Sequence, residues 1–227
     1  MVSAETRSRI KKLAEPMALF LGRLGLTPNG LTMLGFGITA VGAVLAGTGA
    51  WLAAGLVVFA GGAFDLVDGT LARATGRVSR FGAFMDSVFD RWGEAVVYVG
   101  IVLGGAAWRA LPPLAAFAMA SAFMVSYTRA RSEGLGFSPG RGMASVGLAP
   151  REVRLMILSI GLVATGLLGG ASGPASFGTA LPEPWFSFRD GSWALTLALG
   201  LIGGLATITV VQRIIHVSQQ AVASDGK

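Results

Sequence analysis

Apolar residues in this chain gather into long runs, at 31–48, 51–64 (continuing toward Arg73), 81–107, 111–128, 152–171 and 192–212. Each run approaches the ~20 residues that a helix needs to cross the hydrocarbon core of a bilayer. The runs are too continuous for barrel strands, which alternate between lipid and lumen. Helices and closed barrels are the only elements that satisfy the backbone in lipid. The pattern therefore predicts an all-α, polytopic membrane protein with six transmembrane helices. Ahead of the first run, residues 1–23 are charged and amphipathic, with Ile10, Leu13, Met17, Phe20 and Leu21 on an apolar side. That segment reads as an interfacial helix lying on the membrane rather than as a cleavable signal peptide. One domain over 1–227 is expected, with the interfacial helix and a turn in 1–30, the six spans within 31–214 and a tail over 215–227.

Lys and Arg orient the spans. With six spans both termini share one side, and that side carries all of the 18 basic residues except Arg109 and Arg189, Arg91 being counted at the near end of the third span. The positive-inside rule makes it the cytoplasm, so an integral protein of the cell membrane with inward-facing termini is expected. Composition agrees, with 53% hydrophobic and 13% charged residues and a mean hydropathy of +0.66, values foreign to a soluble domain of this size. The pI near 10.7 matches an anionic membrane face and acidic substrates, and no nucleic-acid partner is called for. The chain has no cysteine, its one histidine, His216, lies beyond the last run, and lysine occurs only at 11, 12 and 227. Thiolate, His-rich zinc and Schiff-base chemistry are thereby excluded from the core, leaving carboxylate, metal and arginine.

Against this background four aspartates, Asp65, Asp68, Asp86 and Asp90, fall within 26 residues. An acid at membrane depth costs a few kcal/mol or more unless paired, which makes it a candidate functional residue. Spacings of three and four place each pair on one face of its helix. The short polar stretch Ala74–Arg80 makes the two helices antiparallel neighbours, with both pairs near the cytoplasmic end. Gly69, Ala72, Gly82 and Ala83 would thin the facing surfaces and leave room for a ligand. Two facing carboxylate pairs offer the hard oxygens that Mg²⁺, Mn²⁺ or Ca²⁺ prefer. Arg73 beside them adds a fork-shaped donor for phosphate oxygens, and the combination points to phosphoryl or pyrophosphate chemistry. Two other readings stand beside it: buried ion pairs with Arg73, Arg77, Arg80 and Arg91, and an intramembrane carboxylate-lined cation transporter.

The string Asp65-Leu-Val-Asp68-Gly69-Thr-Leu-Ala72-Arg73, eight residues, Gly82, three residues, Asp86, three residues, Asp90 resembles the signature of the CDP-alcohol phosphotransferases, with every fixed position filled. That resemblance implies an enzyme that displaces CMP from a CDP-linked lipid, often CDP-diacylglycerol, by attack of an alcohol, using Mg²⁺ or Mn²⁺, with two ions expected. It implies metal binding by Asp65, Asp68 and Asp86, and a general-base role near the acceptor for Asp90, which also serves as a metal ligand. Gly69, Arg73 and Gly82 would line the CDP site. A homodimer is expected on the same ground, and Gly100-x-x-x-Gly104 is a candidate packing motif.

Gly25-Leu-Thr27-Pro28-Asn29-Gly-Leu-Thr32 reads locally as a turn and helix start, with Asn29 as its cap. It also resembles the family's segment bordering the cytidine, so Pro28, Asn29 and Thr32 are expected at the nucleotide. Three helix ends carry basic residues: Arg129 and Arg131 after the fourth run, Arg151 and Arg154 opening the fifth, and Arg213 closing the sixth. The positive-inside rule accounts for basic residues at such places. The Ser126–Glu133 stretch resembles the branch that makes phosphatidylinositol phosphate, in which Arg129, Arg151, Arg154 and Arg213 would bind the acceptor's phosphate. That branch opens its fifth span with E-R-x-E-R, where this chain has Pro150-Arg151-Glu152-Val153-Arg154. An anionic soluble acceptor is thus expected, inositol phosphate first and glycerol 3-phosphate as the alternative, since a cationic head would be repelled. Residues 136–149 read as a flexible glycine-rich connector and 172–191, with Trp185, Phe186 and Phe188, as an interfacial aromatic patch.

Overall fold

The computed structural model describes residues 15–105, 110–137, 146–170 and 191–225, all helix and connecting turns without a strand among them. A short helix α1 covers 15–23. It is followed by α2 (Pro28–Gly47), α3 (Trp51–Ala74), α4 (Arg80–Gly104), α5 (Leu111–Gly134), α6 (Arg151–Leu167) and α7 (Ser192–Asp225). Four of these, α2, α3, α5 and α7 over Ser192–Val222, are long and apolar enough to cross a membrane, and the chain is a polytopic integral membrane protein. The other two fall short for separate reasons. α4 carries Arg80, Asp86, Asp90, Arg91 and Glu94 in its first fifteen residues, and α6 has only 17 residues. The aromatic patch of 172–191 lies outside the described residues apart from Gly191, as do residues 1–14 and 138–145.

Local chemistry sets the helix ends. α2 starts with Thr27, whose hydroxyl accepts from Gly30 N–H at 3.1 Å, and has Pro28 in its first position. Thr27, and not Asn29, is therefore the cap, because a cap side chain reaches the third helical N–H and Pro28 is preorganised for the position after it. α3 ends in a Schellman arrangement: Gly76 takes φ +67°, and Arg77 N–H returns to Ala72 C=O at 2.9 Å. Ser79 then caps α4 by accepting from Gly82 N–H at 2.9 Å. The runs thus reappear as helices, but α5 and α7 outlast their runs to Gly134 and Asp225. At 34 residues α7 is about 51 Å long, some 20 Å beyond the hydrocarbon core.

The six long helices close into a ring in which α2 packs on α3, α3 on α6, α6 on α7, α7 on α5, α5 on α4 and α4 back on α2. Its interior is filled by Trp51, Tyr98, Ile101, Leu111, Leu158, Leu162, Leu195, Leu199 and Ile202. α3 and α4 are consecutive but are not a principal packing pair; α2 lies against both. This corrects the expectation of two directly packed neighbours, and the glycines explain it. A Cβ at Gly61 would stand 2.2 Å from the Thr39 hydroxyl, and one at Gly100 2.1 Å from the Ala43 carbonyl oxygen. The close approaches are therefore made to α2. Gly100 and Gly104 are spent inside the ring, Gly104 against Ala46, rather than on a dimer face.

α1 rests on the end of the ring. Ala18 is fully buried with Leu31, Val67 and Leu71, and Leu21 packs against them. Met17, Phe20 and Leu24 point outward, so of the apolar side read from the sequence only part faces away from the protein.

Candidate active site

α3 ends where α4 begins, so depth along both helices can be counted from one turn. Asp68 and Asp86 each lie six residues from it, about 9 Å in; Asp65 and Asp90 lie nine and ten residues from it, about 14–15 Å in. The four acids therefore form two levels, each holding one carboxylate from α3 and one from α4, across the gap that the α2 packing leaves open.

At the outer level Asp68, 4% exposed, accepts a hydrogen bond from Thr32 Oγ1 at 2.6 Å. Thr32 sits on α2, so the helix between the pair fixes one of its carboxylates. At the inner level Arg151 donates to Asp65 and also pairs with Asp90 at 2.8 Å. Arg91 approaches Asp90 at 3.4 Å. Asp86 feels the charges of Arg151 and Arg91. A cavity of about 10 Å³, the size of one water, lies beside Thr32, Thr39, Asp65, Asp90 and Arg151. The tilted pair Phe36–Phe89, ring centroids 5.1 Å apart, joins α2 to α4 there. Among the described residues no three acidic or histidine side chains stand close enough to hold a metal ion, with Arg151 wedged between Asp65 and Asp90.

The residues expected at the nucleotide gather at the outer end. Pro28, Asn29 and Thr32 open α2. Gly69 faces the guanidinium of exposed Arg73, where a Cβ would lie 3.4 Å from Nη1. Arg73 donates to Thr70 at 3.3 Å. A Cβ at Gly82 would lie 3.2 Å from Asn29 Oδ1, which brings α2 and α4 together at this rim. Gly69 and Gly82 thus keep space open beside polar side chains rather than thin a contact between α3 and α4.

The four arginines expected at the acceptor's phosphate divide into two kinds. Arg154 is 2% exposed, makes a two-point ion pair with Glu94 at 2.8 Å through both nitrogens, and donates to Ala149 C=O at 2.9 Å. Arg213, 5% exposed, donates to Val146 C=O at 3.1 Å and to Val125 C=O. Thr209 Oγ1 meanwhile accepts from both Leu148 and Ala149 N–H at 3.0 Å. In the non-helical stretch 146–150 the carbonyls of Val146 and Ala149 and the N–H groups of Leu148 and Ala149 are thus bonded to side chains, with Ala149 buried and Leu148 exposed. The flexible connector read over 136–149 is, in its described part from 146, an anchored strap. The strap explains why α6 is short: its first residue, Arg151, already stands within side-chain reach of the inner aspartate level. Arg129, by contrast, has a side chain 48% exposed that, among the described residues, pairs with Glu133 one turn on, and the Arg151 side chain is 26% exposed. These two keep a solvent-facing side.

Glu94 escaped the sequence reading. It continues the four-residue ladder Asp86–Asp90–Glu94 along one face of α4, and that spacing was its visible signal.

A family model for CDP-alcohol phosphatidyltransferase matches residues 25–181. The chain belongs to that family. It is 37% identical over 158 residues to the archaetidylinositol phosphate synthase of Pyrococcus horikoshii, covering 69% of this chain and 80% of that one. It is 32% identical over 229 residues to the phosphatidylinositol phosphate synthase of Streptomyces avermitilis, covering 99% and 86%. The solved structure of Mycobacterium tuberculosis phosphatidylinositol phosphate synthase (PgsA1) with CDP-DAG bound superposes with a TM-score of 0.71 at 29% identity, over 91% of this chain and 94% of that one. The same protein with manganese and citrate gives 0.71 at 30% identity, over 90% and 88%. An enzyme of this family is a transferase, which displaces the cation-transporter reading.

Proposed function

We propose that this chain is a phosphatidylinositol phosphate synthase: the hydroxyl of inositol phosphate attacks the lipid-bearing phosphorus of CDP-diacylglycerol, and CMP leaves. The observation that carries this reading is the two-level set of four aspartates on α3 and α4, braced by Thr32 and Arg151, in a family member matched along 99% of its length by a synthase of that name. The relatives' names favour inositol phosphate over glycerol 3-phosphate as the acceptor. They differ in the lipid, archaetidyl in one and phosphatidyl in the other, so the donor's chains are the open choice.

Asp65, Asp68, Asp86 and Asp90 would hold Mg²⁺ or Mn²⁺, with two ions expected. The donor set fits: all are hard carboxylate oxygens, and the Arg151 cation lodged between Asp65 and Asp90 marks a place that accommodates positive charge. When bound, the ions neutralise and polarise the diphosphate as CMP departs. Asp90 takes the proton from the acceptor hydroxyl. Thr32 holds Asp68 in place from α2. Arg73, Gly69 and Gly82, with Pro28 and Asn29, border the nucleotide, Arg73 contributing its fork of donors to the diphosphate. Arg129 and Arg151 reach the acceptor's phosphate directly, while Arg154 and Arg213 serve it by holding the strap that delivers α6.

The chain crosses the membrane six times, with α4 and α6 counted as spans whose charged or short ends belong to the site. Both termini and the active site face the cytoplasm, an orientation supported by the distribution of basic residues. α1 lies at the interface with Met17, Phe20 and Leu24 toward lipid. The whole is one domain in which the lipid substrate enters from the bilayer and the acceptor from the cytosol.

The test is CMP release by purified protein with Mn²⁺ or Mg²⁺, from CDP-diacylglycerol and from its ether-linked archaeal counterpart. Inositol 1-phosphate, glycerol 3-phosphate, inositol and serine are offered separately. Release with inositol 1-phosphate alone is expected. Release with glycerol 3-phosphate instead would change the acceptor, and release with inositol or serine would overturn the role given to the arginines.

A further inference from the structure

Arg151 sits where two demands collide. Its guanidinium pairs with Asp65 from α3 and Asp90 from α4, the two inner carboxylates that the metal site needs. Yet it opens α6 at the cytoplasmic side of the ring and keeps a solvent-facing edge, as an anion-binding residue would. Its neighbour one turn on, Arg154, is anchored by Glu94 and Ala149, so the backbone that carries Arg151 is fixed. Only the side chain is left to choose a partner.

We propose that Arg151 is an exchangeable counter-ion: it bridges Asp65 and Asp90 in the metal-free enzyme and leaves them for the anionic acceptor when those carboxylates take a divalent ion. The inference rests on the metal-dependent reading above and adds to it a coupling between the two binding events. Among the described residues the four carboxylates of the cluster are met by two guanidiniums, Arg151 and Arg91, so the site stays short of positive charge and keeps its affinity for a divalent ion. A guanidinium and a divalent ion cannot both hold the same oxygens of Asp65 and Asp90, so each weakens the other. A fork-shaped donor is suited to either partner, bridging two carboxylates now and a phosphate later. The remaining bonds of the inner level do not need rebuilding, because Arg154 and the strap stay where they are.

The sign of the consequence is unusual for a site residue: removing Arg151 strengthens metal binding. Mn²⁺ is titrated into purified, acceptor-free protein, free Mn²⁺ being followed by its electron paramagnetic resonance signal, for wild type, Arg151→Gln and Arg151→Lys. Arg151→Gln is expected to bind Mn²⁺ roughly tenfold more tightly than wild type. Arg151→Lys, whose single ammonium cannot bridge two carboxylates as a fork does, is expected in between. Thermal melting supplies a second readout: without metal Arg151→Gln melts below wild type, and saturating Mn²⁺ closes the gap. Equal or weaker Mn²⁺ binding by both variants would overturn the exchange and leave the enzyme reading intact. A wild type that binds no Mn²⁺, or binds it undiminished after Asp65→Asn, would instead sink the metal site itself.

Discussion

The two ends of the ring are built on opposite principles. At the end with the α2–α3 turn, helices meet through backbone: Gly100 and Gly104 of α4 press on Ala43 and Ala46 of α2, and Trp51, Ile101, Leu111 and Leu162 are sealed from solvent. At the other end α3 and α4 are held by side chains from their neighbours: Arg151 of α6 reaches both Asp65 and Asp90, Thr32 of α2 holds Asp68, and Arg154 of α6 holds Glu94. Close packing yields a rigid frame because a void or an overlap is costly. Charge across a gap yields a site because such pairs can trade partners. The same two helices are pressed onto α2 by backbone at one end and held by polar side chains at the other, where the proposed site needs room for a diphosphate and a metal.

The largest effect is expected at Glu94, whose ion pair with Arg154 gives the charged end a structural element. Glu94→Ala leaves the guanidinium of Arg154 buried without its carboxylate, a change that costs about 3–5 kcal/mol. A lower melting temperature and loss of activity are both expected. Glu94→Ala with Arg154→Met should recover much of the stability but not the activity, since the strap at Ala149 loses its donor. Recovery of both would make the pair mere scaffolding. On the packed end, Gly100→Ala drives a methyl into the Ala43 carbonyl and is expected to cost about 1–3 kcal/mol. It should lower the melting temperature while leaving Mn²⁺ affinity unchanged, which a binding titration beside the melt checks. The smallest effect on stability is expected at Thr32→Val, which removes one hydroxyl that holds Asp68. Here Mn²⁺ affinity and CMP release should fall, at least tenfold, with little change in melting temperature.

How much of this was legible beforehand follows the same division. The apolar runs located all six ring helices, because the length of a bilayer leaves its mark on composition. The spacing of Asp65, Asp68, Asp86 and Asp90 announced the chemistry, and the count of residues to the turn implies their two levels. The helix between them was not visible, because consecutive helices with a short turn look like packed neighbours whether or not a third lies against both. The glycines were read as belonging to the α3–α4 contact for the same reason. Arg154 and Arg213 carried a second ambiguity: a basic residue at a cytoplasmic helix end looks the same whether it faces solvent, an anion or a buried carbonyl. Only the partners, Glu94 and the 146–150 backbone, tell these apart, and partners from distant parts of the chain leave no local signature. Glu94 itself was within reach, had the ladder from Asp86 been followed one step further.

The four aspartates of the charged end are proposed to carry the chemistry, and Asp90 puts this to the test most directly. Asp90→Asn keeps the size of the side chain and removes the carboxylate proposed as base. CMP release from CDP-diacylglycerol with inositol 1-phosphate should be measured beside the melting temperature of the same preparation. A loss of activity on the order of 10²–10⁴-fold, the contribution of a positioned base, with the fold still intact, is the predicted result. Activity within a few-fold of wild type, or a loss explained by unfolding alone, would contradict it.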